Sequence, residues 1–122
     1  MTDIELLELA AKAAGIDGVY QLWEDGRGQV SCGIAPNGSP GRDWWNPLRD
    51  DGAALRLAVR LGLDLMRTEA DVEAIAGLMP YVKIDAHTVS APFAVEPLGA
   101  DPAAATRRAI VRAAAEMGRS AQ

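Results

Sequence analysis

A chain of 122 residues with net charge −5 at pH 7, nearly half apolar and about a quarter charged, excludes wholesale disorder and predicts one globular domain spanning 1–122. A single cysteine, Cys32, excludes an intrachain disulfide and a cysteine-built zinc cage, and the opening residues lack the basic and apolar stretches of a secretory signal, so a reducing bacterial cytoplasm is expected. No apolar run approaches the roughly 20 residues that cross a bilayer, which argues against a membrane role, and the negative charge opposes the phosphates of duplex nucleic acid while suiting solubility or a basic partner.

Thr2 and Glu5 have the spacing of a capping box, and Ile4, Leu7, Ala11 and Ala14 follow a helical period up to Gly15, a terminator able to turn left-handed. From Gly18 the pattern becomes that of a hairpin. Val19, Tyr20, Leu22 and Trp23 suit one strand, Asp25-Gly26-Arg27-Gly28 suits the turn, and Val30, Cys32 and Ile34 alternate onto one face of the return strand. Residues 35–47 hold three prolines and so read as a long loop, which carries Arg42, Trp44 and Trp45.

Asp50 or Asp51 then caps a helix over Asp51 to Leu61, with Leu55, Ala58, Val59 and Gly62 on one face, Leu57 and Leu61 widening it, and Arg56 and Arg60 opposite. Gly62 ends that helix ahead of a strand at Leu63 to Arg67. Thr68 to Met79 has both helical and strand readings. Strand is favoured, because Tyr81 to Asp85 alternates and Gly77 to Pro80 supplies a turn for a second hairpin. Phe93 to Glu96, bracketed by prolines, suits an edge strand. Asp101-Pro102 starts a helix running to Gly118, with Thr106, Ile110, Ala113 and Met117 inward and Arg108, Arg112 and Glu116 outward, the last two spaced for an ion pair. The expected fold is α+β: a mainly antiparallel sheet of four to five strands with three helices, in the order α-ββ-α-βββ-α.

Enzyme templates find little purchase. His87 is the only histidine, so metal sites built on two imidazoles are absent, and no cofactor motif appears: the glycines at 33, 38 and 41 have neither phosphate-loop nor dinucleotide spacing. Cys32 reads as a small hydrophobe of a strand, and Ser90 near His87 does not make a triad. Gly41-Arg42-Asp43-Trp44-Trp45-Asn46-Pro47 resists a purely structural explanation, since two adjacent indoles on a proline-rich loop do not easily both enter one core. Arginine and tryptophan dominate binding hot spots, and an indole beside a guanidinium also sandwiches a base. Arg42, Trp44, Trp45, Asn46 and Arg49 are therefore the candidate binding residues; the competing reading is a lid with one indole in the core.

Two blocks carry a resemblance. Asn46-Pro47-Leu48-Arg49-Asp50-Asp51-Gly52, continuing through Leu55 to Leu63, and Ala105-Thr106-Arg107-Arg108-Ala109-Ile110-Val111-Arg112-Ala113-Ala114 resemble small phage and prophage proteins of no assigned activity. The resemblance covers about a third of the chain and carries no catalytic residues. It implies a phage-encoded, non-enzymatic binding protein directed at a host protein, such as a CRISPR-type immune complex, or at a nucleotide-like immune signal. An enzyme on a polar substrate using a carboxylate and His87, or a phage assembly protein, are the other classes; self-association is compatible with each.

Overall fold

The computed structural model describes residues 1–24, 26–28, 30–36, 44–67, 73–78 and 93–120. Its elements are α1 (Asp3–Ala14), β1 (Gly18–Glu24), β2 (Val30–Pro36), α2 (Asp51–Leu61), β3 (Leu63–Arg67), β4 (Glu73–Leu78), β5 (Phe93–Pro97) and α3 (Pro102–Ser120). This is the expected α+β order. The five strands, however, form two antiparallel sheets, β1-β2 and β3-β4-β5, where one sheet was expected.

The helix ends follow the sequence signals. Thr2 Oγ1 accepts from the Glu5 amide at 3.2 Å, Asp50 Oδ1 from Gly52 at 2.9 Å, and Asp101 Oδ1 from Ala104 at 3.1 Å. Gly15 and Gly62 take φ of +73° and +69°, where a side chain would be strained, and so end α1 and α2. None of the described helices is long and apolar enough to cross a membrane.

α3 is the central element, packing on α1, α2, β4 and β5. Its buried surface is broader than the expected stripe: Ala105, Ala109, Val111, Ala114 and Ala115 join Ile110 and Ala113, while Thr106 and Met117 are only half-buried. Small side chains let neighbours approach from several directions. The helix runs on to Ser120, past the Gly118 at which the sequence reading ended it. Gly118 lies inside the helix, buried, where an added Cβ would stand 2.0 Å from the Leu9 carbonyl oxygen of α1. Arg112 also departs from expectation: it binds Glu96 of β5 at 2.7 Å, and Glu116 meets Arg119 at 3.7 Å.

The inward face of α1 contains the expected Leu7, Ala11 and Ala14 and is broader, while that of α2 is rotated from the one expected. In α1, Leu6, Leu7, Ala10, Ala11 and Ala14 are buried, whereas Ile4, in the first turn at the margin of that stripe, is exposed. In α2 the buried residues are Ala53, Ala54, Leu57 and Ala58, so Leu55 and Val59 face outward. Both stripes of α2 satisfy the helical period. The alanine-rich one wins because it permits close approach to α3, while the larger side chains project beside the contact.

The strand reading of residues 73–78 holds, but its partners differ from those expected. β4 is the middle strand, with Ala76 opposite Leu65 of β3 and Ala94 of β5. Gly77 thus lies in the ladder opposite Asp64 and Phe93, not in a turn. The expected strand Tyr81 to Asp85 lies outside the described residues, as do His87 and Ser90.

Candidate functional site

The first hairpin positions the loop that carries the predicted binding residues. β1 and β2 pair with Tyr20 opposite Ile34 and Leu22 opposite Cys32. On the other side of β2, Trp45 continues the pairing for one residue: its amide donates to the Ile34 carbonyl at 2.9 Å, and the Ile34 amide donates back at 2.8 Å. That bridge places the Trp45 side chain half-buried against the core. Trp44 is half-buried as well, with its indole Nε1 enclosed and lacking a hydrogen-bond partner among the described residues. Arg42 lies outside the described residues.

Asn46, expected to contact a ligand, is instead an internal joint. It is 7% exposed; its Nδ2 donates to the Cys32 carbonyl at 3.0 Å and to the Cys32 sulfur at 3.6 Å, and its Oδ1 accepts from the Leu48 amide at 3.1 Å. Its backbone carbonyl accepts from Arg49 and Asp50 at 3.1 and 2.9 Å, shaping the turn that feeds α2. A buried carboxamide gains by spending its polar atoms in this way, since each unmet group would carry a desolvation cost. Arg49 is exposed. The Tyr20 hydroxyl, hydrogen-bonded with the Cys32 side chain, has its pKa raised above 10.0, first by that bond and then by burial, with Arg49 pulling the other way. The thiol of Cys32 is half-buried and free.

The turn ahead of α2 and the middle of α3 meet in space. From α3, Arg107 Nε donates to the Leu48 carbonyl at 2.9 Å and Nη1 binds Asp51 at 2.6 Å. One guanidinium therefore ties the start of α2 to the central helix, and its planar fork suits two acceptors held in fixed directions. Arg107→Ala is expected to lower stability by about 1–2 kcal/mol, and Arg107→Lys to recover less than half, because an ammonium does not reproduce the fork; urea unfolding midpoints measure both.

Beside this joint lies a surface that the sequence reading had assigned to the core. Leu55 and Val59 of α2 are 58% and 74% exposed, and Leu65 and Met66 of β3 are exposed with them. Leu55 and Leu65 both line a groove of about 330 Å³, together with Asp51, Ala54, Ala103, Thr106, Arg107 and Ile110. A shallower depression of about 230 Å³ continues from Leu65 and Thr106 to Met66 and Arg67. Arg56 and Arg60 are exposed on the far side of Val59 along α2. The signal for this surface was present in the sequence: Leu55, Leu57, Val59 and Leu61 spread apolar residues around more of an eleven-residue helix than one packed face accommodates.

Among the described residues, no three His, Cys, Asp or Glu side chains converge on a common point where a metal could sit. Comparison with protein-family models, with curated proteins and with solved structures found no match.

Proposed function

We propose that this chain is a non-enzymatic binding protein that docks a host protein on the apolar face of α2 and β3, serving a phage against a host defence component as the resemblance implies. The observation that carries the reading is the outward projection of Leu55 and Val59 next to the groove edged by Leu65. Contiguous exposed apolar side chains at a groove mark interaction surfaces. Arg67 lines the shallower depression, Arg56 is exposed on the α2 surface beside Val59, and Arg107 and Asp51 line the groove as an ion pair. The partner segment that fits is apolar with flanking carboxylates, and opposite charge at the rim speeds its encounter.

The same geometry favours a protein over a nucleotide-like ligand. The groove walls are mainly aliphatic, and Arg107, the guanidinium at its edge, is already engaged by Leu48 and Asp51. Trp45, one of the two adjacent indoles that precede Asn46, packs against the core.

Leu55→Glu with Val59→Glu tests the reading. Both side chains are exposed, so the double variant is expected to unfold at the wild-type temperature within about 2 °C. It is expected to lose at least tenfold in affinity for a host protein that the wild type retains from bacterial lysate, while Trp44→Ala retains it. A nucleotide that raises the wild-type midpoint by several degrees, with the shift abolished in Trp44→Ala, would assign the activity to the tryptophan loop instead.

A further inference from the structure

Given that the α2 and β3 face docks a host protein, as proposed above, we propose that its occupant is an amphipathic α-helix. That helix sets a large aliphatic side chain in the groove and a carboxylate, one turn away, on Arg67. The groove and the shallower depression have Leu65 and Thr106 in common, so they are neighbours on the surface. Their chemistry differs. The groove is mainly aliphatic, and its cation, Arg107, is neutralised by Asp51 at 2.6 Å. The depression carries Arg67, which is exposed and makes no ion pair among the described residues. Asp64, three residues earlier on β3, points to the opposite face of the strand and leaves that cation uncompensated.

The polar groups of the groove select the conformation of the occupant. Arg107 is spent on the Leu48 carbonyl and Asp51, and the Thr106 hydroxyl donates to the Pro102 carbonyl at 2.8 Å. An extended segment would bring backbone amides and carbonyls that find few partners on such walls, and each one left unmet costs free energy. A helix meets its own backbone needs internally and docks by side chains alone, so it asks for no unpaired strand edge. Its residues three or four apart stand about 5–6 Å from one another, which suits two adjoining depressions. Leu55 and Val59, one turn apart on α2 and 58% and 74% exposed, extend the apolar contact beyond the groove.

The probe is a displayed library on an alanine-rich helical frame of about 16 residues, randomised at four positions of one face and selected on the intact protein. Enriched peptides are expected to carry Leu, Ile or Met at one position and Asp or Glu three or four residues away. Fluorescence anisotropy then reads the contacts. Arg67→Glu is expected to weaken a selected peptide about tenfold, and changing the peptide's own acid to Lys to restore most of that loss. Leu55→Glu with Val59→Glu is expected to weaken it about tenfold or more, and a proline in the middle of the peptide to abolish binding. All three protein positions are exposed, and unchanged circular dichroism spectra confirm that the variants fold. Selected peptides that need Leu55 and Val59 but tolerate the proline, or ignore Arg67→Glu, would overturn the acidic helix and leave the docking reading standing. Peptides indifferent to Leu55→Glu with Val59→Glu, or no enrichment at all, would remove both.

Discussion

Gly118→Ala is expected to lower the thermal midpoint by about 10 °C, although alanine is the better helix former. In an exposed helix the substitution would gain about 1 kcal/mol. Here the new Cβ would stand 2.0 Å from the Leu9 carbonyl oxygen and 2.9 Å from its carbon, both backbone atoms of α1 that no rotamer change moves aside. Relief requires α1 to retreat from α3 by about an ångström, which loosens the packing of the buried Leu7, Ala10 and Ala14 on the alanines of α3. Overpacking of a tight contact costs about 3 kcal/mol, which outweighs the propensity gain. Calorimetry on Gly118→Ala beside Ser120→Ala, an exposed position two residues further on, separates the contact from general effects at the helix end. A Gly118→Ala midpoint equal to or above the wild type would mean that α1 and α3 do not touch backbone to backbone at Leu9.

That contact also marks where sequence reasoning stops. Glycine near the end of a helical pattern reads as a terminator, as Gly15 and Gly62 show, and nothing local to Gly118 distinguishes a terminator from a crossing point. Caps were legible because Thr2, Asp50 and Asp101 act within three residues of themselves. The first hairpin was legible because both strands and their turn are contiguous. What eluded the pattern were choices made by distant partners. Hydrophobicity favours Leu55 and Val59 as the inward face of α2, but the presence of α3 rewards Ala54 and Ala58, whose small size permits contact. Gly77 belongs in a ladder because Leu63–Arg67 and Phe93–Pro97 flank it, an arrangement set by strands far apart in the chain. The candidate site shared this fate: exposure at Leu55 and burial at Asn46 both follow from elements that local periodicity does not see.

Asn46 shows the consequence most sharply, since the residue that looked like part of a recognition loop holds the loop together. Asn46→Ala is expected to destabilise the protein by about 3 kcal/mol, because the Cys32 carbonyl and the Leu48 amide both lose their partner in a site where Asn46 itself is only 7% exposed. Urea unfolding should show the midpoint fall with its slope unchanged. Asn46→Asp distinguishes this account from one based on packing volume alone. Its carboxylate still accepts from Leu48 but presents a charge, in place of a donor, to the Cys32 carbonyl. Protonation restores the donor, so the folded state raises the pKa of this carboxyl above its unfolded value. Asn46→Asp is then closest to wild type below about pH 4, and loses stability relative to it as pH rises through the folded pKa. A wild-type minus Asn46→Asp difference constant between pH 3 and 7 would rule out the donor role. Because α2 starts from the turn that Asn46 closes, partner capture by Asn46→Ala should persist at low temperature, where the chain stays folded, and fail on warming together with the fold. Loss of capture in a fully folded Asn46→Ala protein would return this residue to the binding surface.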